Sequence, residues 1–512
     1  MHDKTFYITT PIYYVNAAPH LGHAYTTIAA DTVARWMRID GRDVLFATGT
    51  DEHGAKVERN AIEAGVTPQA FVDEVSNKFR EMGRLMNASN DVFIRTTEAR
   101  HIAACQEIWR RLRSRDEIFL GSYEGWYAVR DETFYAEDEL LAGPGGGKLA
   151  PTGAPVEWVQ EPCYFLRLSA WADRLLAYYD AVPDRILPTT RRNEVVSRVK
   201  SGLRDLAVSR TGVTWGVPVP DDPAHVMYVW LDALINYVTV CGFPDEEADL
   251  WRFWPADVHL VGKDIVWFHA VIWPAVLMAA GLEPPRRIVA HGWWTARGEK
   301  ISKSVGNTID AIGLAELYGL DSLRFFVLRE LPFGNDGDFS DAAVIRRLNT
   351  ELANDLGNLA QRTLSQVARN LDGRLPAQGA ATGEDRELLA AAEALPGLLR
   401  PLMERLALGD ALEEVWKVIR SANAYVDHQA PWALRKSDPA RMEAVLRVLV
   451  DALRVIGTVL SPFMPDSMAK LLDQLGVAGE GRTLAHLGTP MAIGTVLPAP
   501  EGIFPRYLGN AA

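Results

Sequence analysis

His20 and His23 lie three residues apart in "PHLGHAY", with Gly22 between them, and a further histidine, His53, follows Asp51 and Glu52. Histidines at this spacing serve three different chemistries. They bind a metal, they sit buried on backbone partners, or they donate hydrogen bonds to phosphate. The pair falls where a strand gives way to a helix, and the first turn of a helix offers free N–H groups and the positive end of the dipole. Gly22 allows a phosphate or a flat base to approach the backbone closely. An imidazole donates to a phosphate oxygen without carrying a full charge. A metal needs at least one more ligand, which Asp51 or His53 supplies only if the second strand ends beside the first. On this motif alone all three uses stay open.

A second motif narrows the choice. "GEKISKSVGN" (298–307) sets Lys300 and Lys303 with two serines between flanking glycines. A lysine is a point charge suited to phosphate, and glycine flanks permit a loop to close. Alone, such a stretch is an ordinary solvated basic loop. Paired with the histidines it reads as the other half of a polyphosphate site.

Those residues need elements to hold them. "TFYITT" (5–10) is short and β-rich, "LGHAYTTIAADTVARWMRIDG" reads as a helix ending at Gly41, and "DVLFATGTDEHG" reads as a second strand. This is a strand–helix–strand unit, and its continuous apolar runs suit strands covered on both faces. Strand-then-helix patterns return at "HVMYVWLDALINYV", "DVHLVGKDIVWFHAVIWPAVLMAAG" and "RRIVAHGWWT". Between about 115 and 220 the chain turns rich in Gly, Pro and aromatics with short β-like pieces, a small α+β insert in which "LLAGPGGGKLAPTGAP" reads as turn or loop. Beyond 340 the β signal stops. Leu348, Leu352, Leu356, Leu359 and Thr363 form one helical stripe, Leu412, Val415, Trp416, Ile419 and Val426 a second, and Leu446, Leu449, Val450, Leu453 and Leu460 a third. Packed antiparallel helices follow from these faces, with 373–385 as a connection between two of them.

Composition sets the outer limits. At 512 residues about three domains are expected. The three cysteines, Cys105, Cys163 and Cys241, form no C-x-x-C pair, so neither a thiolate metal cage nor a disulfide framework is expected, as fits a reducing cytosol. Residues 1–30 carry no secretory pattern. The longest apolar run, 266–281, is too short to span a bilayer, so no membrane partner is expected. A net charge of −13 argues against sequence-blind nucleic-acid binding but leaves room for a local basic surface.

H-x-G-H after the first strand with K-x-S-K-S after the last is similar to the signature of the class I aminoacyl-tRNA synthetases. The resemblance narrows to the methionyl-tRNA synthetases over nearly the whole chain, through "TTPIYYVNAAPHLGHAY", "TGTDEHG", "YVWLDALINY", "GKDIVWFHAVIWPA", "AHGWWTARGEKISKSVGN", "LGNLAQR" and "DHQAPW". It implies a methionine–tRNA ligase, which joins L-methionine to the α-phosphate of ATP and passes it to tRNA(Met), initiator and elongator alike. His20 and His23 would stabilise the transition state at the α-phosphate, with Gly22 beside them. Lys300 and above all Lys303 would neutralise the pyrophosphate leaving group, which is transition-state electrostatics without a protein nucleophile. Mg²⁺ would accompany ATP without a dedicated protein cage.

The resemblance also carries a set of binding residues. Ile12, Tyr14, Trp230, Ala233, Leu234, Tyr237, Ile265 and His269 fall where the family builds its methionine pocket, and Asp51 where it holds the α-amino group. Aromatic rings suit a polarizable thioether. Trp230, Ala233, Leu234 and Tyr237 share one helix face by spacing, although the usual meaning of such a stripe is plain core. Trp294 matches an edge of the adenine site and Asp264 a place near the ribose or the pocket entrance. Asn354, Asn358 and Arg362 form a polar stripe at i, i+4 and i+8; of these Asn358 and Arg362, with Trp432, match positions that read the CAU anticodon. Amides and guanidinium bond to base edges and an indole stacks. Arg191, Arg192, Arg198, Lys200 and Arg204 would supply local positive charge for the acceptor stem or triphosphate, and Arg210 resembles a family position near the active site.

One departure from the family pattern stands out. Where many relatives hold zinc in C-x-x-C pairs, this chain has Ala128 and Asp131, and no cysteine near "GPGGGKL". A metal-free knuckle is expected, packed by Trp126, Tyr127, Phe134 and Tyr135. The expected fold class is α/β: a Rossmann-like parallel sheet split by a small α+β connective insert, followed by an all-α helix-bundle anticodon-binding domain. Expected boundaries are 1–115 and 223–295 for the catalytic halves, 116–222 for the insert, 296–342 for the lysine-loop stem-contact region and 343–512 for the helices. No β-barrel or dimerisation segment follows "PEGIFPRYLGNAA" in this sequence, so a cytoplasmic monomer is expected. The competing readings are a class I synthetase for another small or apolar amino acid, a small nucleotidyltransferase sharing H-x-G-H, and a non-catalytic tRNA-binding paralogue.

Overall fold

Strand β1 (Thr5–Thr9), its short companion β2 (Tyr13–Tyr14), β3 (Asp43–Asp51), β4 (Val92–Arg95), β5 (Ile186–Leu187), β6 (Val258–Gly262) and β7 (Ile288–His291) form one sheet in the order β5-β7-β6-β1-β3-β2, with β4 also on β3. The pairings β5–β7, β7–β6, β6–β1, β3–β2 and β3–β4 are all parallel. Eight of the nine residues of β3 are buried, as a strand in the middle of a covered sheet requires. The computed structural model describes residues 4–16, 18–131, 133–296, 299–300 and 308–508.

The chain divides into two compact units. One comprises Thr5–Pro19 and Leu45–His291; the other comprises the described residues of Met1–Lys4, His20–Val44 and Gly292–Ala512. Helix α1 (Leu21–Ile39) belongs to the second unit, and its bounds agree with the helix read from the sequence.

The first unit contains the sheet, α2 (Ala99–Ser114), α3 (Val229–Val240) and α4 (Trp273–Ala280). Its core runs from Tyr7 and Leu45 through Trp109 and Ile235 to Trp273 and Ala290. The insert is built on two long antiparallel strands, Ile118–Ala128 and Glu157–Leu166, paired from Ile118↔Leu166 to Tyr127↔Glu157. "LLAGPGGGKLAPTGAP" is not all loop, because Leu141–Ala142 pairs antiparallel with Lys148–Leu149. The glycines between them make the tight reversal that composition alone reads as irregular.

In the second unit, α5 (Leu320–Arg329) carries Arg324, which is fully buried. Its guanidinium donates to Asp31 Oδ2 on α1 at 2.7 Å, to the Pro462 carbonyl at 3.0 Å and to the Phe463 carbonyl at 3.1 Å. A buried charge is tolerated only when paired and hydrogen-bonded, and this one is both. Helices α6 (Asn358–Asn370), α7 (Gly383–Glu404), α8 (Leu408–Gln429), α9 (Pro431–Ser437) and α10 (Pro439–Leu460) follow. All residues of the three apolar stripes read from the sequence are buried. The expected connection at 373–385 ends earlier, because Thr382 and Asp385 form a capping box that starts α7 at Gly383. Ahead of α6 the turns widen to a π-helix over Leu348–Gly357.

All three cysteines are free and fully buried. No helix among the described residues is long and apolar enough to cross a membrane.

Candidate functional site

His20 is the N-cap of α1. Its Nδ1 accepts from the Gly22 N–H at 3.1 Å, while the His20 N–H donates to His23 Nδ1 at 3.2 Å, so the two imidazoles close a capping box. The rings lie 3.9 Å apart. Because each Nδ1 accepts a backbone N–H, each neutral ring carries its proton on Nε2, so both imidazoles act as N–H donors at the first turn of the helix. That is donor chemistry for an anion, and it differs from a metal site, which needs lone pairs turned outward. Gly22 has a steric reason as well: a Cβ there would stand 2.9 Å from His20 Cε1. The helix start is anchored by the Leu21 N–H, which donates to the Ile309 carbonyl at 3.0 Å.

Of the lysine loop, residues 301–307, Lys303 among them, lie outside the described residues. Lys300 is placed by its backbone, which pairs antiparallel with Thr295. Trp294, read from the sequence as an edge of a base site, is 2% exposed and packs edge-on to Tyr25 and against Phe326. Beside it, Gly292 allows a backbone crossing, since a Cβ there would meet the Asn335 carbonyl at 2.1 Å.

The first unit gathers the other set. In register, Tyr14 on β2 pairs with Asp51 at the carboxyl end of β3, and Ile12 leads into the same strand. On α3, Trp230 is half-buried while Ala233, Leu234 and Tyr237 are buried. The Trp230 ring stacks on Phe268 at 3.7 Å and 11°. Phe268 escaped the sequence reading; its only signal was its place beside His269, in a π-helical turn over Phe268–Ile272. His269 Nδ1 donates to the Ile265 carbonyl at 2.9 Å, which leaves Nε2 to accept from the Tyr237 hydroxyl at 2.7 Å. Burial pushes the His269 pKa down to about 4, against a smaller upward pull from the Ile265 carbonyl, so the ring is neutral near pH 7. The Tyr237 carbonyl accepts from Tyr7 Oη at 2.9 Å. Burial first, then the nearby Asp51 charge, raises the Tyr237 pKa, so it stays a phenol donor. Behind it, Trp273 Nε1 donates to His259 Nε2 at 3.2 Å, so His259 Nδ1 carries the proton shared with Thr9 Oγ1 at 2.9 Å. Asp264 is exposed just beyond the end of β6, with Ile265 next to it and half-buried. These residues cluster beyond the carboxyl ends of parallel strands, where open α/β sheets bind ligands. The arrangement offers aromatic and aliphatic walls, a neutral hydrogen-bonded imidazole and one carboxylate, which suits an apolar side chain carrying an α-amino group.

His53 has another partner than a metal. Its Nδ1 is 2.6 Å from Asp232 Oδ2, and the other Asp232 oxygen is 2.7 Å from His101 Nε2. Burial works to raise the Asp232 pKa, but His53 and His101 outweigh it and hold the carboxyl below its usual range. His101, Cys105 and Asp232 are the one group of three converging metal-type ligands among the described residues. Their atoms are already bonded to one another, with Cys105 Sγ 3.2 Å from His101 Nε2.

Similarity to known proteins gives the family. A family model described as "tRNA synthetases class I (M)" matches residues 6–145 and 148–364, and one for the anticodon binding domain of methionyl tRNA ligase matches 375–508. The chain belongs to the class I methionyl-tRNA synthetase family. It is 51% identical over 510 residues to a methionine–tRNA ligase of Mesorhizobium japonicum, covering 99% of each chain. It is 52% identical over 509 residues to that of Mycobacterium tuberculosis H37Rv, covering 98% of each. A solved M. tuberculosis methionyl-tRNA synthetase in complex with methionyl-adenylate superposes with a TM-score of 0.96 at 52% identity, covering 98% of this chain and 100% of that one. The apo form of that enzyme gives 0.90 at 48% identity, covering 98% of each chain.

The anticodon-domain match, 375–508, covers α7 to α10 of the second unit, and α6 lies just ahead of it. There Arg362 on α6 donates to Asp427 at 2.5 Å and lies 5.3 Å from the Trp432 ring centre. Trp432 is 47% exposed, turned outward after the left-handed Ala430 and Pro431. Together they line a cleft of about 290 Å³ that also borders Arg369 and Thr363. Asn358 is exposed at the start of α6. Asn354 is not part of an even stripe with them: the π-helical turns change the residue spacing, and its Oδ1 accepts from Arg506 at 2.9 Å.

At the knuckle, the interior is smaller than the sequence suggests. Ala128, Ala150 and Ala154 are fully buried, with Tyr135 and Val156 packed against them. Asp131 sits in a polar knot: it accepts from Tyr135 Oη at 3.1 Å, from Arg130 Nε at 3.1 Å and from Thr152 Oγ1. Tyr127 lies instead under Arg210, 4.1 Å from its guanidinium, and Trp126 under Lys148.

Proposed function

We propose that this chain is a methionine–tRNA ligase. It condenses L-methionine with ATP to methionyl-adenylate and pyrophosphate, then transfers the methionyl group to the 3′ end of tRNA(Met). The observation that carries this is the full-length similarity, in sequence and fold, to an enzyme solved with methionyl-adenylate. The residue roles are as follows. Tyr237, His269, Trp230, Ala233, Leu234, Ile12, Tyr14 and Ile265 receive the side chain of methionine, and Asp51 its amino group. His20 and His23 donate from Nε2 to the α-phosphate as the methionine carboxylate attacks, and Lys300 and Lys303 draw off the charge of the departing pyrophosphate. Gly22, Asp264 and Trp294 border the nucleotide, Mg²⁺ enters with ATP, and Asn358, Arg362 and Trp432 read the anticodon. The division of labour follows the boundaries given by the sequence, the knuckle works without zinc, and the enzyme acts as a cytoplasmic monomer.

Pyrophosphate exchange run with each of the twenty amino acids tests the activity. Exchange with methionine alone is expected. Exchange with a different amino acid would make this a sister synthetase, and none at all would favour the tRNA-binding paralogue. Metal analysis of purified protein checks the knuckle, where one tightly bound zinc per chain would overturn that part.

A further inference from the structure

The turn after β3 is tied down from every side. The Glu52 N–H donates to Thr96 Oγ1 at 2.9 Å, and the Glu52 carbonyl accepts from Trp215 Nε1 at 2.6 Å. The Gly54 N–H donates to the Trp215 carbonyl at 3.0 Å. The Glu52 carboxylate takes bonds from Thr50 and Arg95 at 2.7 Å and from Thr97 at 2.5 Å. The remaining side chain, His53, points to Asp232. That residue is fully buried on α3, in the same stretch as Trp230, Ala233 and Tyr237, and His101 on α2 holds its second oxygen.

An ionised carboxylate only accepts, so His53 Nδ1 and His101 Nε2 both donate to it. One carboxylate thus joins the strand end that carries Asp51 to the helix that carries the side-chain wall. We infer that Asp232 and His53 are positioning residues, which set Asp51 in register with that wall so that amino group and side chain are gripped together. The inference rests on the reading of Asp51 as the partner of the methionine amino group. A charged contact of this kind is sensitive to small displacements, and a shift of about 1 Å costs on the order of a hundredfold where geometry governs. Neither residue touches methionine in this account, so the effect falls on methionine recognition and leaves the nucleotide side unchanged.

The test compares three variants of the full-length enzyme in pyrophosphate exchange, with the methionine and ATP KM values read separately. His53→Leu removes the donor and is expected to raise the methionine KM by about tenfold or more while the ATP KM stays within about twofold. His53→Asn places its amide nitrogen near the position of Nδ1, keeps the bond to Asp232, and is expected to return the methionine KM close to the wild-type value. Asp51→Asn is the reference for the underlying reading. If it leaves the methionine KM unchanged, the assignment of Asp51 fails and this inference falls with it. If Asp51→Asn is severe but His53→Leu behaves as wild type, the inference alone is overturned. It is equally overturned if His53→Leu raises both KM values together with a lowered thermal midpoint, which is the mark of a purely structural role.

Discussion

Replacing Arg324 by methionine should unfasten α1, the helix whose first turn holds His20 and His23. The wild-type guanidinium is fully buried and satisfies Asp31, Pro462 and Phe463 at 2.7, 3.0 and 3.1 Å. Methionine fills most of the volume, so the loss is electrostatic. Asp31 keeps Arg35 at 2.8 Å, but two carbonyls lose their charged donor, and breaking a buried pair of this kind costs about 3–5 kcal/mol. Arg324→Lys retains the charge without the fork that spans three acceptors, and the expected cost falls to about 1–3 kcal/mol. Asp31→Asn leaves the arginine with its carbonyls and no counter-charge, so it should resemble the methionine variant. Combining Arg324→Met with Asp31→Asn should cost clearly less than the sum, because the same pair is removed only once. Urea unfolding followed by far-UV circular dichroism measures all four. A cost below about 1 kcal/mol for Arg324→Met, or strict additivity in the double variant, would refute the reasoning.

Three more outcomes are expected. Lys303→Ala should slow adenylate formation far more than it weakens methionine binding, measured by single-turnover kinetics beside equilibrium binding; an unchanged rate would remove the loop from phosphate chemistry. Trp432→Ala should impair tRNA charging and spare pyrophosphate exchange, whereas equal loss of both would mark a structural indole. His269 has its folded pKa lowered from 6.5 to about 4 by burial, so the unfolded chain binds the extra proton first as pH falls. The stability that this neutral ring contributes is therefore complete above pH 6.5 and lost on descent towards pH 4, about 3 kcal/mol in all; unfolding at pH 7 and pH 5 should show a shallower pH slope in His269→Gln, and equal slopes would contradict the assignment.

Much of this was legible in the sequence because it is local. Helix α1 announces itself by composition and ends at a glycine, and the apolar stripes of the last helices are periodic. The H-x-G-H and lysine motifs are specific as a pair, and the stretch 230–237 places its residues on one turn after another. What sequence could not give depends on distant partners. His53 looked like a spare metal ligand because Asp232 lies 179 residues away. Asn354 looked like part of an even polar stripe because Arg506, 152 residues on, is invisible to spacing. Phe268 was hidden in an apolar run where every residue looks like core, and only the π-helical turn sets it against Trp230. At the knuckle, four aromatic residues drew attention, but the interior is three alanines, with Tyr135 of the four packed against them, beside Val156.

The three cysteines, enclosed in the interior with burial raising each thiol, have a practical consequence. A thiol reacts as its thiolate, and these are neither ionised nor reachable in the native protein. A cysteine introduced on the surface beside Trp432 would then be the sole residue that a maleimide dye finds, with no need to strip the native ones first. The wild-type chain is in that respect already a blank background for fluorescence labelling, and the arrival of tRNA could be watched through a single dye on an otherwise unaltered enzyme.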